Sequence, residues 1–171
     1  ELPNLPSGTY WYHSHVGTQI DAGLKGPVIV TAAPGQDPAS DKDFVVLLDR
    51  WLNPIPGVTP AYLGHVVNGK QSSAAAPFVV SIGETARLRF INGSGAQNYV
   101  VAVDQHPMTV PHADGRRVQP YATQALPIGT GERYDVLVTC SYPGKWSVAA
   151  ATSQNRNAGA ARVVLGYAGS T

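Results

Sequence analysis

A single cysteine, Cys140, stands among the 171 residues, so no disulfide can form within the chain. Cysteine usage therefore leaves the redox compartment open. Charge is scarce as well. Only 13% of residues are charged, and 12 basic against 11 acidic residues leave a net charge of +1. A nucleic-acid binder shows a clustered basic excess, and none is present. No run of like charges marks an interaction tail. No apolar run reaches the length of a membrane span. The first residues, Glu1-Leu2-Pro3-Asn4-Leu5-Pro6, lack the basic and apolar regions of a secretory signal and a starting methionine. They read as a chain entered partway along.

What is plentiful is punctuation. Eighteen glycines and 14 prolines cut the chain into short apolar runs, the pattern of an all-β sandwich or barrel. The β-branched run Gly26–Thr31 is followed by a Pro-, Gly-, Asp- and Ser-rich loop over Ala32–Lys42. Strands are expected over Phe44–Asp49, Phe78–Ile82, Ala86–Asn92, Tyr99–Asp104, Met108–Val110, Thr123–Ile128, Arg133–Thr139, Trp146–Ala150 and Arg162–Tyr167. A loop is expected over Asn53–Pro60, which holds three prolines and a glycine. Alternation in Ala86–Asn92 puts Arg87 and Arg89 on one face, Leu88 and Phe90 on the other. In Arg133–Thr139 the same period buries Tyr134, Val136 and Val138. The composition break divides the chain into residues 1–34, a linker over 35–42, and a complete domain over 43–171. Two strands cannot bury a core alone, so the N-terminal piece must pack on something else. Its unpaired edges would invite self-association.

The sharpest chemical signal is Gly8-Thr9-Tyr10-Trp11-Tyr12-His13-Ser14-His15. Residues two apart on a strand point to one side, so His13 and His15 project together. Imidazole is the usual ligand for copper and zinc. Tyr10, Trp11 and Tyr12 would form a shell that limits solvent and fixes ring orientation. Two histidines are too few for a closed site, because a catalytic metal takes about three protein ligands and an open position. By spacing alone, a surface strand that binds nothing is the alternative.

The flanks say more. The stretch Gly8–Gly26, with its aromatics, His13-Ser14-His15, Gln19 and Gly23-Leu24-Lys25-Gly26, resembles the second copper motif of multicopper oxidases. Val67-Asn68-Gly69, Gly83–Asn92, His106–Val110, Asp114-Gly115 and Gly131–Val136 are similar to later landmarks of that family. The resemblance implies a cupredoxin-like Greek-key β-sandwich, the C-terminal part of a first domain followed by all of a second. It implies an oxidase that couples one-electron oxidation of phenolic or aromatic substrates, or of metal ions such as Cu(I), to reduction of O2 to water. His13 and His15 would each ligate a different one of the paired type 3 coppers, with Ser14 turned away. The remaining cupredoxin domains would be partners, and the setting would be secreted, periplasmic or cell-envelope.

Other motifs of the family are not in the sequence. Neither His-Trp-His-Gly, His-Pro-x-His-x-His nor His-Cys-His occurs, and five histidines cannot make the trinuclear cluster. The chain by itself is expected to be colourless and inactive. A blue copper site at Cys140 would need two histidines beside the thiolate, and none follows Cys140. Pro107 and Pro111 speak against His106 and His112 sharing an unbroken strand. His106 is expected to be structural, His112 a hydrogen-bonding turn residue, and His65 a loop residue without a partner. Fungal laccases carry an acidic substrate-binding residue just before a segment similar to Gln97-Asn98-Tyr99, and alignment on Asn98-Tyr99 puts Ala96 at or near that place. A different reading keeps the fold and drops the chemistry: a non-catalytic domain kept for packing or assembly.

Overall fold

The structure, a computed structural model, describes residues 5–53 and 61–169. Short β-branched runs between Gly and Pro turns form strands throughout, and no helix occurs among the described residues. The hairpin β1 (Gly8–His13) and β2 (Lys25–Val30) is a sheet of its own. The other strands are β3 (Lys42–Asn53), β4 (Ala61–Val67), β5 (Phe78–Val80), β6 (Thr85–Asn92), β7 (Tyr99–Val103), β8 (Met108–Ala113) and β9 (Arg116–Thr123). They continue with β10 (Leu126–Ile128), β11 (Arg133–Thr139), β12 (Lys145–Thr152) and β13 (Asn155–Tyr167). Five make a sheet in the order β10-β7-β12-β13-β5, and six make a second in the order β4-β3-β6-β11-β8-β9. Most neighbours are antiparallel, but β3–β6 and β5–β13 run parallel.

One core lies between these two sheets. Val46, Leu48, Leu88, Phe90, Val136 and Val138 from one sheet meet Tyr99, Val101, Val163 and Leu165 from the other. Burying side chains of this size contributes roughly 1.5–3 kcal/mol each. The alternation read in β6 and β11 holds, with Ala86, Leu88, Phe90, Val136 and Val138 in the core and Tyr134 packed at its margin.

The opposite face of β6 is not open to water. Arg87 and Arg89 are only 2% and 5% exposed, because β1 and the 35–41 segment cover them. Arg89 forms a two-pronged pair with Asp43 at 2.7 and 2.6 Å and reaches Asp135 at 3.1 Å. It also donates to the Thr9 hydroxyl of β1 at 3.0 Å. Thr9 in turn donates to Asp135 at 2.5 Å. Arg87 donates to Asp37 and to the Pro38 carbonyl, both at 2.6 Å. Buried guanidinium groups need such carboxylates, since an unpaired charge in the interior is costly. The N-terminal hairpin thus packs on a polar layer of the larger sheet.

Two strands were not expected from the sequence, β4 and β9, and they are the two edges of the six-stranded sheet. β9 is mostly exposed, so it carries no apolar run, and an edge strand accommodates Pro120. The run expected over Thr123–Ile128 is two strands: the chain turns at Ala125 and passes from one sheet to the other. Pro111 does not end β8; it sits at a register shift between Val110 and His112. The loop expected over Asn53–Pro60 lies, from residue 54 on, outside the described residues.

Candidate metal centre

Period-two alternation puts Thr9, Trp11, His13 and His15 on one side of the N-terminal strand. Thr9 is tied to the polar layer, and the histidines lie at the far end. The Trp11 and His13 rings stack with centroids 4.1 Å apart and 22° between planes. His13 and His15 stack at 4.5 Å and 27°. Three rings therefore form one continuous pile. His13 is half-buried and His15 exposed. Nδ1 of His13 stands 3.2 Å from its neighbour's carbonyl, Ser14 O.

The expected shell of three aromatics is reduced to one. Trp11 alone stacks on a ligand candidate. Tyr10 donates to the Pro6 carbonyl at 3.0 Å, and the Arg133 guanidinium lies 5.8 Å from its ring centroid. Tyr12 is 57% exposed and lies across the hairpin over Gly26. A Cβ at Gly26 would stand 2.7 Å from the Tyr12 ring, which explains the glycine opposite that tyrosine.

Residues 14–24 connect the two strands as a loop of successive turns. Ser14 N–H donates to Leu24 O at 3.0 Å, which extends the hairpin ladder by one rung. Ala22 N–H donates to Thr18 O at 3.0 Å and Leu24 N–H to Gln19 O at 2.9 Å. Gly23 takes φ +95°, a conformation that favours glycine. At the start of β2, the buried Lys25 donates to Gly93 O at 2.8 Å and pairs with Asp49 at 2.6 Å. That contact leaves Asp49 Oδ1 without an aligned hydrogen bond. Burial pushes the Asp49 carboxyl above the usual range, and the Lys25 charge offsets only part of the rise.

The other histidines are occupied elsewhere. His106 is 1% exposed; its Nδ1 lies 2.6 Å from Asp104 O and its Nε2 2.8 Å from the Tyr167 hydroxyl. His112 belongs to the polar layer, 3.1 Å from Asp37. His65 departs from the expectation of an unpartnered loop residue. It lies in β4, with Nδ1 2.8 Å from the Tyr99 hydroxyl, and its pKa is lowered by burial and then by Arg50. Sequence gave no sign of this contact, because the two residues are brought together only by sheet packing.

Cys140 is fully buried, and burial pushes its thiol up, away from the thiolate that copper requires. Met108 and Cys140 belong to the core, whereas His112 lies on the other face of the sheet. The residues of a blue copper site are not brought together. Among the described residues, no group of three or more His, Cys, Asp or Glu could hold a metal ion. His13 and His15 remain the candidate: suited to copper in donor type, short of a full set in number.

The comparisons agree with this architecture. One multicopper oxidase family model matches residues 38–170, and a second multicopper oxidase family model matches residues 3–35. The chain is 32% identical over 173 residues to multicopper oxidase MmcO of Mycobacterium tuberculosis, covering 78% of this chain and 34% of that protein. It is 31% identical over 148 residues to laccase-3 of Trametes villosa, covering 79% of this chain and 30% of the relative. The laccase of Botrytis aclada superposes with a TM-score of 0.81 at 29% identity, over 97% of this chain and 36% of that one. The blue copper oxidase of Nitrosomonas europaea gives 0.79 at 27%, over 95% and 56%. The fold is therefore the cupredoxin-like β-sandwich of copper oxidases. The chain belongs to the multicopper oxidase family, and it spans about a third or less of the length of the curated relatives it matches.

Proposed function

We propose that this chain supplies two copper ligands, His13 and His15, to the oxygen-reducing centre of a copper-dependent oxidase. The observation that carries this is the stacked imidazole pair at the loop end of the hairpin, within a chain of this family. Copper bound there would supply one-electron redox chemistry with O2 as the final acceptor. The protein's own contribution is positional. The hairpin presents both rings on one side, Trp11 limits the rotation of His13, and the polar layer fixes the strand that carries them.

Each histidine would hold one of two neighbouring type 3 coppers, with further ligands from the remaining cupredoxin domains. Residues 1–34 would be the C-terminal part of a first domain, 35–42 the link and 43–171 the second. The separate two-stranded sheet supports this division. The electron donor is a phenolic or aromatic compound or a metal ion such as Cu(I), with Ala96 at or near the place of the acidic residue of fungal laccases. The enzyme would work in a secreted, periplasmic or cell-envelope setting.

The test is oxygen uptake by the full-length protein carrying His13→Ala or His15→Ala. Uptake is expected to fall to background together with the copper content. Folding stability is expected to change by about 0.5 kcal/mol or less for the exposed His15. Undiminished turnover in either variant would overturn the assignment and favour a packing domain whose histidines carry no copper.

A further inference from the structure

The peptide that joins the two histidines is held from outside by a residue that contributes no ligand. Gln19 is anchored through its own backbone: its N–H donates to Val16 O at 3.1 Å, and its carbonyl accepts from Leu24 N–H at 2.9 Å. From that fixed point, its side-chain Oε1 accepts the Ser14 hydroxyl at 2.6 Å. The same hydroxyl oxygen accepts Val16 N–H at 3.1 Å. Ser14 N–H is also committed, to Leu24 O at 3.0 Å. Its remaining polar group, the carbonyl, faces Nδ1 of His13 at 3.2 Å. A histidine that donates from Nδ1 keeps its Nε2 lone pair for a metal. Every polar atom of Ser14 is therefore engaged, which restrains the residue between His13 and His15.

We propose that Ser14 and Gln19 are positioning residues for the histidine pair: the Gln19–Ser14 latch fixes the intervening peptide, selects the Nδ1–H form of His13 and aims both Nε2 atoms outward together. This rests on the assignment of His13 and His15 as copper ligands. Trp11 completes the restraint by stacking on the other face of the His13 ring. The latch needs an acceptor at position 19, because Ser14 Oγ already accepts one hydrogen bond and must donate its own proton. Glutamate can meet that need and alanine cannot.

The experiment uses the full-length protein with Gln19→Ala, Gln19→Glu, Ser14→Ala and His13→Ala. Copper affinity is measured by competition with a chelator, and the His13 tautomer in the copper-free protein by long-range 1H–15N NMR. Gln19→Ala and Ser14→Ala are expected to weaken copper binding about 10- to 100-fold and to lower the Nδ1–H fraction of His13, with the melting temperature unchanged. Gln19→Glu is expected to keep both properties near wild type. Wild-type affinity and tautomer in Gln19→Ala, or a Gln19→Glu as weak as Gln19→Ala, would overturn the latch. If His13→Ala itself left copper binding intact, the ligand assignment would fall; if it abolished binding while Gln19→Ala did not, only the latch would fall.

Discussion

Arg89 joins three parts of the chain that lie far apart in sequence, bonding to Thr9, Asp43 and Asp135. Its guanidinium is held more firmly charged than usual; burial acts against this, and the carboxylates of Asp43, Asp135 and Asp37 outweigh it. Replacing it with an apolar residue would take from Asp135, which is 2% exposed, its nearest cation and leave it the Thr9 hydroxyl and Arg87 at 3.5 Å. Arg89→Met is therefore expected to cost about 3 kcal/mol, the lower end for a broken buried pair, since the Asp43 side chain is 45% exposed. Urea unfolding measures this, and a loss under about 1 kcal/mol would contradict it. The layer was not legible in the sequence. Alternation placed Arg87 and Arg89 off the core, but nothing local showed that Thr9, 80 residues away from Arg89, would cover them. The histidine pair was legible, because two-residue spacing on a strand is local geometry.

Among the elements, the hairpin β1–β2 is the one whose packing decides the site. It docks by close backbone approach as well as by charge. A Cβ at Gly8 would stand 2.8 Å from Gly115 O and 2.9 Å from Gly115 Cα. Those are backbone atoms and cannot swing aside. Gly8→Ala is expected to cost about 1–3 kcal/mol by overpacking and to raise amide exchange along β1 while leaving β6 and β11 protected. Unchanged exchange in β1 would show that the hairpin is held by the polar layer alone. The elements that sequence reading found, β5 and β10 at the edges of the five-stranded sheet included, place apolar residues such as Phe78, Val80, Leu126 and Ile128 in the core. Those it missed, β4 and β9, are the edges of the six-stranded sheet; β9 is mostly exposed and carries no apolar run, while β4 follows directly on the proline-rich segment. Pro107 and Pro111 were read correctly, since His106 stays outside β8 and the ladder shifts at Pro111; only the strand expected over Met108–Val110 runs further, to Ala113, because a bulge absorbs the proline.

At the scale of the whole molecule, stability at high pH follows from buried acids. Burial raises the pKa of Cys140 above its ordinary 9.0 and those of Tyr134 and Tyr167 above 10.0. The folded state keeps protons that the unfolded chain releases, so stability falls as pH rises past those ordinary values. The urea midpoint is expected to drop between about pH 9 and 11, with the early part of the fall reduced in Cys140→Ala. A midpoint flat across that range would contradict the raised values of all three groups. The larger question is where copper sits, since the proposed function makes His13 and His15 its ligands. The direct measurement is anomalous diffraction at the copper edge from crystals of the copper-loaded full-length protein. Two neighbouring copper peaks, one bonded to His13 and the other to His15, are expected. Copper bound elsewhere with both imidazoles unligated would contradict the account.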